Sequence, residues 1–420
     1  MASTGLPHQA GSWRAVAAAS IGNAFEWFDF IIYGFFAATI AKLFFPIGNE
    51  TASLLLTLAS FGVTFVMRPV GAAVLGNLAD RHGRKTALTL TMSMMMAGTA
   101  ITAFVPTYSS IGIFAPIMIT GARMIQGFSA GGEFGSATVF LAEQNPNRRG
   151  FYASWQFTGQ GLSAVLATGF GAVLNGLLTT EQMETWGWRI PFLFGLLIGP
   201  VGYYIRCHLD ETLEFRSAQT ISAPFRETLA CAKARLLIAS AMIVFITVAI
   251  YTAVYMPTYA IRELGLPPAA GFLAGLLASA VQVAIVPVTG ALSDRLGRLP
   301  IAAAAIGATL ISAQPLFGWL VAAPTIGWLL LVQAIVSAFV AAYAGPIPAL
   351  ICELFPISVR VTAVSTSYSL AVAIFGGSAP LVIALLIHVT GSSLIPGYYL
   401  MFAAALSLVA LGAARRLGFR

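Results

Sequence analysis

Long stretches of this chain, 86–122, 150–180, 190–205, 236–261, 264–293, 299–352 and 361–414, contain no Asp, Glu, Lys or Arg. About 20 consecutive apolar residues suffice to cross a bilayer as a helix, so most of the 420 residues are committed to membrane spans before any other feature is weighed. Composition agrees: 58% of the residues are hydrophobic and 9% charged, with mean hydropathy +0.86, against roughly 45–50% and roughly 25% in soluble domains. A soluble enzyme is excluded. The runs are continuously apolar rather than alternating, which excludes an outer-membrane barrel.

The breaks between runs predict an all-α integral membrane protein with spans near 15–44, 52–79, 86–106, 111–142, 152–179, 189–207, 236–261, 270–293, 299–322, 326–351, 360–388 and 394–414. The first apolar stretch is too long for a signal peptide and is read as a retained span. With the N-terminus inside, the outer loops carry only Lys42, Arg189 and Arg262, and nearly all other basic residues face the cytoplasm. That asymmetry predicts a multi-pass protein of a bacterial inner membrane with both termini cytoplasmic, and it accounts for the net charge of +7 without a nucleic-acid partner. The polar segment 206–235 divides the chain into bundles 1–205 and 236–420. Cys207, Cys231 and Cys352 have no paired spacing, so neither a zinc site nor a disulfide framework is expected.

The two bundles echo each other. Gly76-Asn-Leu-Ala-Asp80-Arg81-His-Gly83-Arg84-Lys85 follows the second span, and Gly290-Ala-Leu-Ser-Asp294-Arg295-Leu-Gly297-Arg298 follows the eighth. Glu143 precedes Arg148 and Arg149 much as Glu353 precedes Arg360. Parallel repeats of six spans mark a transporter whose substrate site lies between them near the midplane.

These loops, the Arg123-Met-Ile-Gln126-Gly127 run and the six-plus-six layout resemble the major facilitator superfamily. The segments Gly22-Asn23-Ala-Phe-Glu26-Trp27-Phe-Asp29-Phe-Ile-Ile-Tyr33-Gly34, Arg68-Pro69-Val-Gly71, Gly131-Gly132-Glu133 and Trp186-Gly-Trp188-Arg189-Ile-Pro191-Phe are similar to its metabolite:proton symporter branch, which covers citrate, dicarboxylate, shikimate and proline/betaine carriers. The resemblance implies secondary active uptake of a small charged metabolite with a proton by alternating access. The Gly150-Phe-Tyr-Ala-Ser-Trp155-Gln156 segment looks more like the citrate and tricarballylate members, so a di- or tricarboxylate is expected, with a zwitterion such as proline or betaine as the alternative. Superfamily exporters carry a Gly-Pro motif in the fifth span, and 152–179 contains no proline, which argues against a proton-driven exporter. A monomer is expected, with the proton gradient as driving force and no cofactor.

Charges placed at bilayer depth cost about 2.5–3.5 kcal/mol each, so Glu26, Asp29, Arg68, Arg123 and Glu133 are the first candidates for function. Glu26 and Asp29, at i and i+3, share a helical face, and two such acids should not both stay ionised away from water. They are candidate proton carriers, with Glu133 a third; static pairing with Arg68 or Arg123 is the competing use. Arg123 falls near the midplane, where its planar fork suits a carboxylate, and Arg68 lies at the depth of Glu133, so an Arg68–Glu133 pair is expected. Gln126, one turn beyond Arg123, is a further candidate substrate contact. The resemblance implies a gating role for Gly76, Asp80, Arg81, Gly83 and Arg84, and for Asp294, Arg295, Gly297 and Arg298. Apart from Arg360 at the edge of the eleventh, spans seven to twelve hold no formal charge; Tyr251 and Tyr255 are candidate hydrogen-bonding groups, while Tyr259 near the outer end is expected to pack. No nucleophile–His pair or metal cluster lies within the spans, so the chain is not read as an enzyme.

Overall fold

The computed structural model describes Ala24 and residues 27–82, 84–131, 133–196 and 233–419, with only the backbone described for 73, 76–82, 84–89, 92, 133, 136 and 358. Glu26, Gly83 and most of the central segment lie outside the described residues. Helices and short connections make up the described chain, with no strand among them. Eight described helical stretches are long and apolar enough to cross a membrane, nine if the bent pair Trp27–Phe35 and Ala37–Phe44 counts as one.

The expected spans and the helices coincide closely. The second runs Glu50–His82, the third Arg84–Phe104, the fifth Arg149–Leu177, the seventh Lys233–Arg262, the eighth Pro268–Leu296, the ninth Arg298–Ala322 and the twelfth Ile395–Arg416. Their starts are set by local chemistry: Asn49 Oδ1 accepts from Ala52 N at the head of the second span, and Thr325 Oγ1 from Trp328 N at the head of the tenth. The eighth ends at Gly297, whose φ of +92° lets the chain reverse directly into the ninth.

Several spans are less regular than the sequence suggests. The first bends by 70° at Phe36. The fourth is broken between Phe114–Ser129 and Glu133–Glu143, with Ala130 and Gly131 at the break. The tenth is split into Ile326–Ala344 and Ile347–Leu354, and the eleventh carries a π-helical turn, Val372–Gly376, between Arg360–Ala371 and Ala379–Thr390. Such interruptions in lipid-embedded helices need protein around them to satisfy the backbone, and they concentrate beside binding sites.

Helices in lipid gain little from apolar burial against one another, so close backbone approach decides how they pack. Gly127 on the fourth span abuts the Thr64 carbonyl of the second, where a Cβ would have no room. The fifth and eighth spans meet through Gly150 and Gly290, each facing the other's carbonyl, and continue outward through Gly171 against Phe272. This seam joins helices from the two repeats. It leaves Arg123 and its neighbours enclosed among the first four spans.

Candidate functional site

Asp29, Arg68 and Arg123 are all buried, at 6%, 3% and 0% exposure. The bent first span brings Asp29 beside the third span, where its carboxylate Oδ2 accepts a hydrogen bond from the Thr99 hydroxyl. Thr99 Oγ1 in turn accepts from Gln126 Nε2 at 2.9 Å, one helical turn from Arg123. Arg123 donates from Nη1 to the Asp29 backbone carbonyl at 3.2 Å and from Nη2 to Thr102 Oγ1 at 3.4 Å. Its guanidinium carbon lies 4.2 Å from the centroid of the Tyr33 ring, and the Tyr33 and Ser60 hydroxyls are 2.6 Å apart. The arginine is thus held by one carbonyl, one hydroxyl and an aromatic face, with Asp29 within electrostatic reach but not ion-paired.

Arg68 is held differently. Its guanidinium carbon sits 4.9, 4.7 and 4.9 Å from the ring centroids of Trp27, Phe30 and Phe65. Desolvated cation–π contacts contribute up to about 2 kcal/mol each, which offsets part of the cost of burying this charge. Nε and Nη2 of Arg68 and Nε of Arg123 have no hydrogen-bond partner among the described residues. The ring of Tyr251, from the seventh span, packs edge-on against Phe61 and Phe65 with centroids 5.8 and 5.0 Å away. Its hydroxyl is buried without a partner among the described residues. Within the second repeat, Thr252, Gln282, Gln333 and Ser337 line a small uncharged cavity.

A second constellation lies at the end of the molecule that carries the repeated loops, called here the motif end. Asp294 reaches across the seam between repeats, its Oδ1 accepting from Gly150 N at 2.8 Å and its Oδ2 from Phe151 N at 3.0 Å. A carboxylate on the first free N–H groups of a helix is a charged N-cap, favoured by the positive end of the helix dipole. Arg298 holds that carboxylate from 3.4 Å and pairs with Glu353. Arg360 of the eleventh span pairs with Glu143 of the fourth at 3.1 Å. At the opposite end, the repeats are joined by Arg262 to Glu50 at 3.5 Å, with the Glu50 side chain 90% exposed. An exposed pair contributes roughly 0–1 kcal/mol, so among the described ion pairs between the repeats the partly buried one, Arg360 to Glu143, lies at the motif end. Glu263, next to Arg262, has its carboxyl raised by burial, with Arg262 opposing the shift.

The model of the Major Facilitator Superfamily matches residues 19–319. The chain belongs to this superfamily. The citrate-proton symporter of Klebsiella pneumoniae is 40% identical over 401 residues, covering 94% of this chain and 90% of that protein. The citrate-proton symporter of Salmonella typhi is 39% identical over 407 residues, covering 96% and 94%. The proline/betaine transporter of Escherichia coli K12 is 33% identical over 415 residues, covering 94% and 82%. The crystal structure of a D-xylose-proton symporter superposes with a TM-score of 0.75 at 16% identity, over 94% of this chain and 97% of that one, a likeness of fold. The all-α, twelve-span fold class read from the sequence is that of this superfamily, and the protein is a multi-pass membrane transporter.

Within this superfamily member, the sequence candidates fall into place unevenly. Asp29, Arg123 and Gln126 are brought together, but Arg123 bonds the backbone of Asp29 rather than a carboxylate. Arg68 is enclosed by rings, and the expected pair with Glu133 falls on a side chain outside the described residues. Tyr251 joins the Arg68 rings, whereas Tyr255 is buried one turn further along, within reach of Arg262 and Glu263. Tyr259 packs as expected, its hydroxyl donating to the Ser393 carbonyl at 2.6 Å. In the second loop copy, Asp294 and Arg298 take part in the motif-end contacts, Gly297 makes the reversal between the eighth and ninth spans, and Arg295 is exposed. For Gly76, Asp80, Arg81 and Arg84 the backbone alone is described, as the end of the second span and the start of the third. Thr99, Thr102 and Ser60 were not anticipated, since neutral polar residues are common in these spans and nothing in their spacing sets these apart; Tyr33 belongs to the first-span motif but had no role assigned.

Proposed function

We propose that the protein imports a small organic anion, a di- or tricarboxylate such as citrate, together with a proton by alternating access. The observation that carries this reading is the pair of buried arginines. Among the described residues, Arg68 and Arg123 both keep guanidinium nitrogens without partners, and neither forms an ion pair with a described carboxylate. Buried cations in that state favour an anionic ligand, and the planar fork of Arg123 matches a carboxylate. The names of the two citrate-proton symporters among the relatives support the same substrate class.

The betaine alternative fits less well. Quaternary ammonium groups are recognised by aromatic cages, and the cage of Trp27, Phe30 and Phe65 already holds the chain's own Arg68. A betaine headgroup would meet a cation there.

In this account Arg123 and Arg68 bind substrate carboxylates, with Gln126, Tyr251 and Tyr255 as neutral hydrogen-bonding groups. Asp29 carries the proton, with Glu26 and Glu133 as the other titratable acids. Bundles 1–205 and 236–420 rock about the fifth and eighth spans, linked by 206–235. The motif end, with both termini, faces the cytoplasm, and its contacts hold the inward gate shut until substrate and proton are loaded. The transporter works as a monomer in a bacterial inner membrane and needs no cofactor.

The test is uptake into proteoliposomes of labelled citrate, a dicarboxylate, proline and betaine, with and without an inward proton gradient. Gradient-dependent accumulation of the carboxylates alone is expected. Accumulation of betaine with no carboxylate uptake would transfer the assignment to the alternative.

A further inference from the structure

The Asp29 carboxylate has one hydrogen-bond partner among the described residues, Thr99, and its other oxygen, Oδ1, has none. The Thr99 hydroxyl has two directions in which to donate: Asp29 Oδ2, and the Met95 carbonyl one turn earlier on its own helix, 3.1 Å away. One of its lone pairs is taken by Gln126 Nε2. Thr99 is 1% exposed and Gln126 fully buried, so water does not compete for these positions.

A hydroxyl carries one proton and two lone pairs. With Asp29 ionised, Thr99 donates to Oδ2. With a proton on Oδ2, Asp29 becomes the donor to the second lone pair of Thr99, and the Thr99 hydrogen turns to the Met95 carbonyl. Gln126 keeps its bond in both states. The Thr99 hydroxyl therefore donates one hydrogen bond and accepts from Gln126 whether or not the acid is protonated, its second lone pair being taken up only in the protonated state, and only a hydrogen moves. Leaving a buried donor or acceptor unsatisfied would instead cost the state that lacks it.

We propose that Thr99 is a positioning residue for proton coupling, a hydroxyl switch held by Gln126 that lets Asp29 gain and lose its proton inside the closed site. This rests on the reading of Asp29 as the proton carrier. The charged and titratable groups around Asp29 in the described structure are Arg123 on the fourth span and Tyr33 on its own span; Gly195 on the sixth faces Oδ1, and the third span presents Thr99 and Met95. The Arg123 bond to the Asp29 backbone fixes the helix, leaving Thr99 as the contact that responds to the state of the carboxyl.

Thr99→Val keeps the shape and removes the hydroxyl; Thr99→Ser keeps the hydroxyl. Citrate uptake is measured against pH in proteoliposomes, beside citrate:citrate exchange, for wild type, both variants and Asp29→Asn. The expected result is a displacement of the Thr99→Val uptake profile toward higher pH by about one unit or more, the size of one charged hydrogen bond, with exchange within a few-fold of wild type. Thr99→Ser should restore the wild-type profile. A Thr99→Val profile that overlays wild type while Asp29→Asn has lost accumulation overturns the role of Thr99 alone. Undiminished accumulation by Asp29→Asn overturns the reading of Asp29. A Thr99→Ser profile as displaced as that of Thr99→Val shows that packing rather than the hydroxyl matters, and also rejects the switch.

Discussion

Asp294→Asn offers a quantitative test of how the motif end is held shut. The carboxylate caps the fifth span through two backbone N–H groups, at 2.8 and 3.0 Å, and is itself held by Arg298. Asparagine retains one acceptor oxygen, so the substitution removes one of the two bonds and the whole charge. An N-cap contributes about 0.5–2 kcal/mol, and a charge at a partly buried helix end contributes up to about 2 kcal/mol. The two overlap, giving a loss of about 1–3 kcal/mol from the closed state. At 1.4 kcal/mol per decade, the closed-to-open ratio at the motif end should fall roughly 5- to 150-fold. Spin labels at Asn147 and Ile357, both exposed at this end on opposite repeats, report the change by pulsed electron resonance once Cys207, Cys231 and Cys352 are replaced. A new population at longer distance is expected in the variant. An unchanged distance distribution, with transport nonetheless impaired, would refute the argument that this cap sets the equilibrium.

Other outcomes follow from the same geometry. Arg123→Lys keeps the charge and loses the fork, so calorimetric binding of a tricarboxylate should weaken by an amount approaching the 2–5 kcal/mol typical of a lost buried charge partner; unchanged affinity would remove Arg123 from the substrate site. Asp29→Asn should abolish accumulation against a gradient while exchange persists, with Glu26→Gln as the parallel variant; if both still concentrate substrate with protons, the coupling acid is elsewhere, Glu133 first. Asp80→Asn should slow turnover and leave equilibrium binding within a few-fold of wild type, because its loop is remote from Arg123; loss of binding with normal exchange rates would contradict that placement.

The spans were legible because charge is excluded from lipid: gaps such as 236–261 and 264–293 became the helices Lys233–Arg262 and Pro268–Leu296 almost residue for residue. Interruptions were less legible. The bend at Phe36 and the π turn at Val372–Gly376 involve no proline, and hydropathy has no term for either. Arg68, Arg123 and Asp29 could be singled out because each is a charge at depth, yet charge arithmetic does not say whether an arginine meets a carboxylate, a carbonyl or a ring. Among the described residues, Arg123 meets a carbonyl and Arg68 three rings. Thr99 could not be told from Thr91, Ser93 or Thr102 on the same span until the packing of the first span selected it. The Asp294 cap was hidden for another reason: its partners are backbone N–H groups over 140 residues earlier, which carry no side-chain signature.

Coupled movement of proton and carboxylate is the centre of the account, and it can be read directly. Proteoliposomes loaded with a trapped pH-sensitive dye and held at an inside-negative potential are given external citrate in sodium-free buffer. The account predicts acidification of the lumen that begins with citrate addition, is absent with betaine, and is lost in Asp29→Asn. Citrate entry without acidification, or entry that requires sodium, would contradict it.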